Sequence, residues 1–144
     1  MENKPLLYSK NYVIRWDDMD AFNHVNNAAY FTYLQECRFD WLLSHNIIID
    51  PTTFGPIVGE VGCKYLKPIT YPAEIVVELY LNHKAGRKIY LEHIIRDKNT
   101  PDLIYATATA TVIWINFTTG RSIMPPPQYD YILEDINKVN EELK

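Results

Sequence analysis

Residues 16–43 read WDDMDAFNHVNNAAYFTYLQECRFDWLL, and the two halves of this stretch follow different rules. The first half, Asp17 to His24, is polar and turn-prone, with three carboxylates (Asp17, Asp18 and Asp20) inside four residues. The second half, from about Asn27 to Leu43, repeats apolar residues at steps of three to five: Ala28, Phe31, Leu34, Phe39 and Leu42. Tyr30, Cys37 and Trp41 widen that arc. This spacing predicts an α-helix. An arc so wide on one helix predicts burial on more than one side.

Outward from this helix the period changes to two. Tyr8 to Trp16 alternates, with Tyr8, Tyr12, Ile14 and Trp16 on one face. After a loop broken by Pro51, four further strands are expected. Ile57–Leu66 puts Ile57, Val61, Cys63 and Tyr65 on one face. Glu74–Asn82 sends Ile75, Val77, Leu79 and Leu81 inward. Ala85-Gly86-Arg87 reads as a hairpin turn into Lys88–Asp97, and Lys98–Asp102 as the turn into Leu103–Asn116. The last strand contains Ala106-Thr107-Ala108-Thr109-Ala110-Thr111, whose alanines make one face flat enough for a helix or a second sheet to approach closely. Pro125-Pro126-Pro127 stops the sheet, and Gln128–Leu143 reads as a polar, exposed C-terminal helix. The expectation is an α+β domain over residues 1–144, one buried helix with about five antiparallel strands, and an extension over 126–144. A single helix leaves the sheet's edges and outer face partly apolar, which predicts dimerisation.

Composition narrows the function. A chain of 144 residues fits one domain, and a hydrophobic share of 47% supplies its core. A net charge of −4 with no basic run disfavours nucleic acid as a partner. No stretch approaches a membrane span, and Met1–Pro5 leads into no apolar signal core, so a cytoplasmic protein is expected. Cys37 and Cys63 lie far apart and read as free, small apolar side chains. His45, His83 and His93 make no metal spacing, and neither a Gly-x-Ser-x-Gly elbow nor a P-loop occurs.

The chemistry is concentrated in the opening stretch. A helix N-terminus carries unpaired N–H groups and partial positive charge. Beside a carboxylate it can polarise a carbonyl while the carboxylate attacks that carbonyl or activates water. The same residues also read as ordinary structure: Asn26 is a good N-cap, and Asp17, Asp18 and Asp20 can simply solvate a loop. His24 reads equally as a supporting polar group or as a histidine bonded to the loop. Glu36 and Arg38 lie two apart on the helix, so each faces a different neighbour, either a buried polar group or a dimer contact.

The run Trp16–Asn27, with Tyr30, Tyr33, Leu34, Glu36, Arg38 and Trp41 behind it, resembles the signature of the 4-hydroxybenzoyl-CoA thioesterase-like branch of the hotdog superfamily. Tyr65–Ile69 with Tyr71 and Glu74, Ala106–Val112, and Gly120-Arg121 with Pro125-Pro126 resemble its later strands and exit. The resemblance covers most of residues 8–127. It implies a hotdog fold and an acyl-CoA thioesterase acting as a homodimer or homotetramer. No cofactor is implied, since CoA belongs to the substrate. It further implies Asp20 as nucleophile or general base, the backbone N–H of Asn27 as the oxyanion donor, and His24 in support. Tyr30 is a candidate for the acyl pocket. Lys67, Arg87, Lys88 and Arg121 are candidates for the CoA phosphates, although each also reads as a solvated surface charge. Asn23 stands where many relatives have glycine, and asparagine tolerates the left-handed conformation such a loop needs. Plant acyl-carrier-protein thioesterases share His-Val-Asn-Asn but have asparagine where Phe22 stands. A carrier-protein thioesterase and a non-catalytic acyl-CoA binding domain are the alternatives.

Overall fold

The alternation after Pro72 builds the centre of the fold. In the computed structural model, which describes residues 4–47, 49–127 and 129, β3 (Glu74–Ala85) buries Ile75, Val77, Leu79 and Leu81. It forms a hairpin with β4 (Lys88–Asp97) across Gly86, whose φ of +61° suits glycine. Around this pair lie β1 (Leu6–Val13), β5 (Ile104–Asn116) and β2 (Phe54–Tyr65), in the antiparallel order β1-β3-β4-β5-β2. A two-residue β6 (Ser122–Ile123) pairs with the end of β5. β1 and β2 are therefore the edges.

The one long helix, α1 (Asn27–Ser44), lies against a single face of the sheet. It buries Tyr30, Tyr33, Leu34, Cys37, Trp41 and Leu42, and the Cys37 thiol donates to the Val77 carbonyl of β3 at 3.7 Å. Beneath it run Ala106, Ala108 and Ala110 of β5, all 4% exposed or less. The helix comes closest to β1 and β3, and the buried alanines give β5 a low neighbouring face; a leucine at Ala108 would overpack the core by about 1–3 kcal/mol.

Three expectations need correction. β1 ends at Val13, and Trp16 is 68% exposed rather than continuing its face. A 3-10 turn at Trp16–Asp18 lifts it out, and its ring packs edgewise on Tyr71. In β2 the register shifts between Val58 and Glu60, so Gly59 is an extra residue. Tyr65, Cys63, Val61 and Val58 oppose Ala106, Ala108, Ala110 and Val112 and face the helix, whereas Ile57 opposes Ile113 on the other side. A Cβ at Gly59 would sit 2.9 Å from Ile113 Cδ1, so a side chain there would make the end of Ile113 shift. On α1, Phe39 is 45% exposed and Ala28 is exposed, because among the described residues only the sheet-facing side of the apolar arc is covered.

The expected C-terminal helix falls outside the described residues except for Tyr129. That residue is 1% exposed, its N–H donates to the Pro126 carbonyl, and its ring meets Trp41 and Trp114 at 5.4 and 5.1 Å. The start of this segment therefore packs on the core. Among the described residues no helix is long and apolar enough to cross a membrane.

Candidate active site

The polar half of the opening stretch folds into a closed loop on the end of α1. Asp20 N–H donates to the His24 carbonyl at 2.8 Å, and Met19 and Val25 form an isolated antiparallel bridge. Asn23 completes the turn at φ +59°, in the left-handed region that asparagine tolerates. The loop is tied down twice more. Asn26 N–H donates to the Asp18 carbonyl at 2.8 Å, and Val25 N–H to the Ile69 carbonyl at 2.9 Å.

Asp20 is fixed by this loop on one oxygen. Its Oδ1 accepts from the N–H groups of Phe22 at 2.8 Å and His24 at 3.1 Å. Oδ2 accepts nothing among the described residues, and the half-buried carboxyl lines a cleft of about 320 Å³. Asn26 caps α1 as its sequence suggested, its side chain accepting from Ala28 N–H at 2.9 Å. The Asn26 carbonyl takes Ala29 N–H, and the Asn27 N–H makes no hydrogen bond among the described residues. Asn27 lines the same cleft as Asp20.

The remaining walls are His24, Tyr30, Tyr65, Lys67 and nearby backbone. The Tyr30 and Tyr65 rings meet edge to face at 4.8 Å. Burial pushes the Tyr30 hydroxyl above its ordinary pKa, which keeps it neutral. The Tyr65 hydroxyl donates to the Asn27 carbonyl at 2.9 Å, linking β2 to the head of the helix. Its part was missed by sequence reasoning, because the pairing spans two distant elements. The His24 imidazole makes no hydrogen bond among the described residues, so it is not held by the loop backbone.

Behind the loop stands a clamp. The Tyr33 hydroxyl donates to the Asp18 carboxylate and accepts from Arg15 N–H at 3.3 Å, while Arg15 pairs with Asp18 at 3.0 Å. Burial pushes Asp18 up, but the hydrogen bonds from Arg15 and Tyr33 outweigh it and hold the carboxyl below its ordinary value. Asp18 is thus the loop acceptor expected of it, and it is anchored to α1.

Sequence candidates for phosphate binding divide. Lys67 is exposed at the cleft. Arg87, Lys88 and Arg121 are exposed at the opposite end of the sheet. Lys88 pairs with Ile113 while the cleft's Tyr65 pairs with Ala106, roughly 23 Å away at ~3.3 Å per residue. Arg87 donates to the Ser122 carbonyl at 2.6 Å, which gives it a structural partner there. Among the described residues no His, Cys, Asp or Glu cluster could hold a metal ion.

Comparison with known proteins gives the family. The model of the Thioesterase-like superfamily matches residues 14–136. The long-chain acyl-CoA thioesterase FadM of Escherichia coli is 24% identical over 119 residues, covering 76% of this chain and 84% of FadM. The chloroplastic acyl-acyl carrier protein thioesterase ATL3 of Arabidopsis thaliana is 29% identical over 85 residues, 57% of this chain and 45% of ATL3. Among solved structures, the PA2801 protein of Pseudomonas aeruginosa, a candidate thioesterase, superposes with a TM-score of 0.84 at 33% identity, covering 89% of this chain and 98% of its own. With this match over residues 14–136 and a long helix packed on an antiparallel sheet, the chain belongs to the thioesterase-like superfamily: it is a thioester hydrolase of the hotdog fold.

Proposed function

We propose that this protein hydrolyses acyl-CoA thioesters to a free acid and CoA in the Asp20 cleft. The observation that carries the reading is that two residues lining one cleft, Asp20 and Asn27, each keep a group without a hydrogen-bond partner among the described residues: a carboxylate oxygen and a helix N-terminal N–H. The thioester carbonyl would accept from Asn27 N–H, where the helix dipole stabilises the developing oxyanion. Asp20 then acts in one of two ways. As nucleophile, Oδ2 bonds to the carbonyl carbon, the C–S bond breaks, CoA leaves as thiolate, and water hydrolyses the mixed anhydride. As general base, it takes a proton from the attacking water. Thiolate is a good leaving group, so one carboxylate and one oriented dipole suffice without a metal or cofactor. His24 supports the carboxylate from the cleft wall, and Lys67 at the rim suits a CoA phosphate.

The proposed working unit is a homodimer or a dimer of dimers. β2 is a free edge with Val58, Val61 and Tyr65 each more than 40% exposed, and the uncovered Phe39 flank of α1 lies on the same side. A second copy paired at β2 would cover both. Arg87, Lys88 and Arg121 enter the proposal only through such a neighbour. The free cysteines Cys37 and Cys63 suit the reducing cytoplasm.

The similarity to ATL3 favours a carrier-protein ester as the second reading, although Phe22 replaces the asparagine of the plant enzymes. Thiol release from matched acyl-CoA and acyl-carrier-protein substrates decides between them. We expect higher kcat/KM for the CoA ester. The reverse order would transfer the function to the carrier protein, and binding without turnover would make the chain a ligand-binding domain.

A further inference from the structure

A second opening lies farther along the helix, away from Asp20. It is a mostly apolar cavity of about 270 Å³ between α1 and β2, lined by Phe39, Leu42, Val58 and Leu91, with Gln35 and one cation, Arg38, in its wall. Arg38 NH1 donates to His93 Nε2 at 3.0 Å. His93 Nδ1 lies 3.0 Å from the Glu78 carbonyl. A guanidinium only donates and a carbonyl only accepts, so these two partners fix His93 as the neutral Nδ1–H tautomer. His93 therefore satisfies one donor of Arg38 and none of its charge. Among the described residues no carboxylate pairs with Arg38: Glu78 is taken by Arg96 at 2.8 Å, and Glu36 is exposed on another side of the helix. A cation set among hydrocarbon without a counter-charge is costly, and an anion placed there recovers that cost. Burial is also what lowers the Arg38 pKa.

The cavity and the Asp20 cleft lie on one seam. The cleft is bounded by Asn27 and Tyr65, the cavity by Leu42 and Val58, and Cys63 and Val61 lie between Tyr65 and Val58 on the helix-facing side of β2. The small side chains of Ala108 and Ala110 keep the neighbouring face of β5 low along this path. Arg38 stands about 16 Å from Asn27 along the helix at ~1.5 Å per residue, a span suited to an acyl chain of on the order of ten carbons.

We propose that this cavity receives the far end of the acyl group, and that Arg38 selects acyl thioesters whose chain ends in a carboxylate. The inference rests on the thioesterase reading for its ester end, but the carboxylate subsite can be tested without turnover. Wild-type protein is compared on dodecanedioyl-CoA and dodecanoyl-CoA by thiol release, and on the free acids dodecanedioate and dodecanoate by calorimetry. We expect the dicarboxylic member of each pair to be preferred by about tenfold or more, as for a charge-assisted pair in a dry site. Arg38→Met should collapse both ratios to one or below, and Arg38→Lys should restore them only in part, since a point charge replaces the fork. Wild-type preference for the monocarboxylic compounds overturns the proposal whether or not the variants fold. That is the result expected if an acidic side chain of a second copy already pairs with Arg38. Arg38-dependent diacid binding without thiol release would sustain the subsite and remove the hydrolase reading instead.

Discussion

The two ends of α1 differ in how they treat polar groups. At its N-terminus the Asp20 loop is a mesh of backbone bonds, and one carboxylate oxygen and one N–H of the cleft-lining Asp20 and Asn27 have no partner among the described residues. Along its C-terminal half, a mostly apolar wall holds one half-buried guanidinium whose only hydrogen-bond partner among the described residues is a neutral imidazole. The mesh fixes position, which is what bond-making requires. The lone cation fixes little but discriminates strongly, because an apolar surround raises the worth of a matching charge. On the proposed reading, one helix separates reaction from selection.

If that division holds, the apolar end carries stability and the polar end carries rate. Trp41→Ala, at 1% exposure, should lower the unfolding free energy by about 3–5 kcal/mol in urea titration. A loss under 1 kcal/mol would mean the helix is held elsewhere. Tyr33→Phe removes the hydroxyl that ties Asp18 to α1. It should cost about 1–2 kcal/mol and lower kcat with little change in KM, because the loop, not the substrate, loses its anchor. A change confined to KM would contradict the positioning role.

The histidine beneath the cavity gives a pH signature. Burial, first, and the Arg38 charge, second, lower His93 to about 3. Below its ordinary value of about 6.5 the unfolded chain takes up a proton that the folded chain refuses. Its contribution is thus intact above about 6.5 and declines as pH falls toward 3, by at most ~1.4 kcal/mol per pH unit. The difference in urea stability between wild type and His93→Gln should narrow from pH 7 to pH 5; parallel curves would mean that His93 titrates normally. The smallest effect is expected at Asn23. Its φ of +59° suits glycine, so Asn23→Gly should move stability by no more than about 0.5 kcal/mol and leave the loop working. A loss above 1 kcal/mol would show that the side chain itself holds the turn.

Much of this was legible in the chain because the period of apolar residues reports directly on which side is covered. The β4 limits, the β3 core face and the cap at Asn26 all follow local rules. The bulge at Gly59 did not, because an extra residue is visible only against its partner strand. Phe39 reads as core on periodicity alone, yet it lies on a flank that no described element covers. Asp20 stood out by its place before a buried helix. Tyr65 and the Arg38–His93 contact left no signal, since they join residues far apart in sequence and depend on the register of a sheet that must first be built.

The central claim is that Asp20 carries the chemistry through its charge rather than its place in the loop. Asp20→Asn is the direct test, because the amide oxygen can still accept from the Phe22 and His24 N–H groups and keep the turn. Thiol release measured on the best acyl-CoA should fall by about 10²–10⁴-fold in kcat, with the unfolding midpoint nearly unchanged. Wild-type kcat in a folded Asp20→Asn protein would contradict the account.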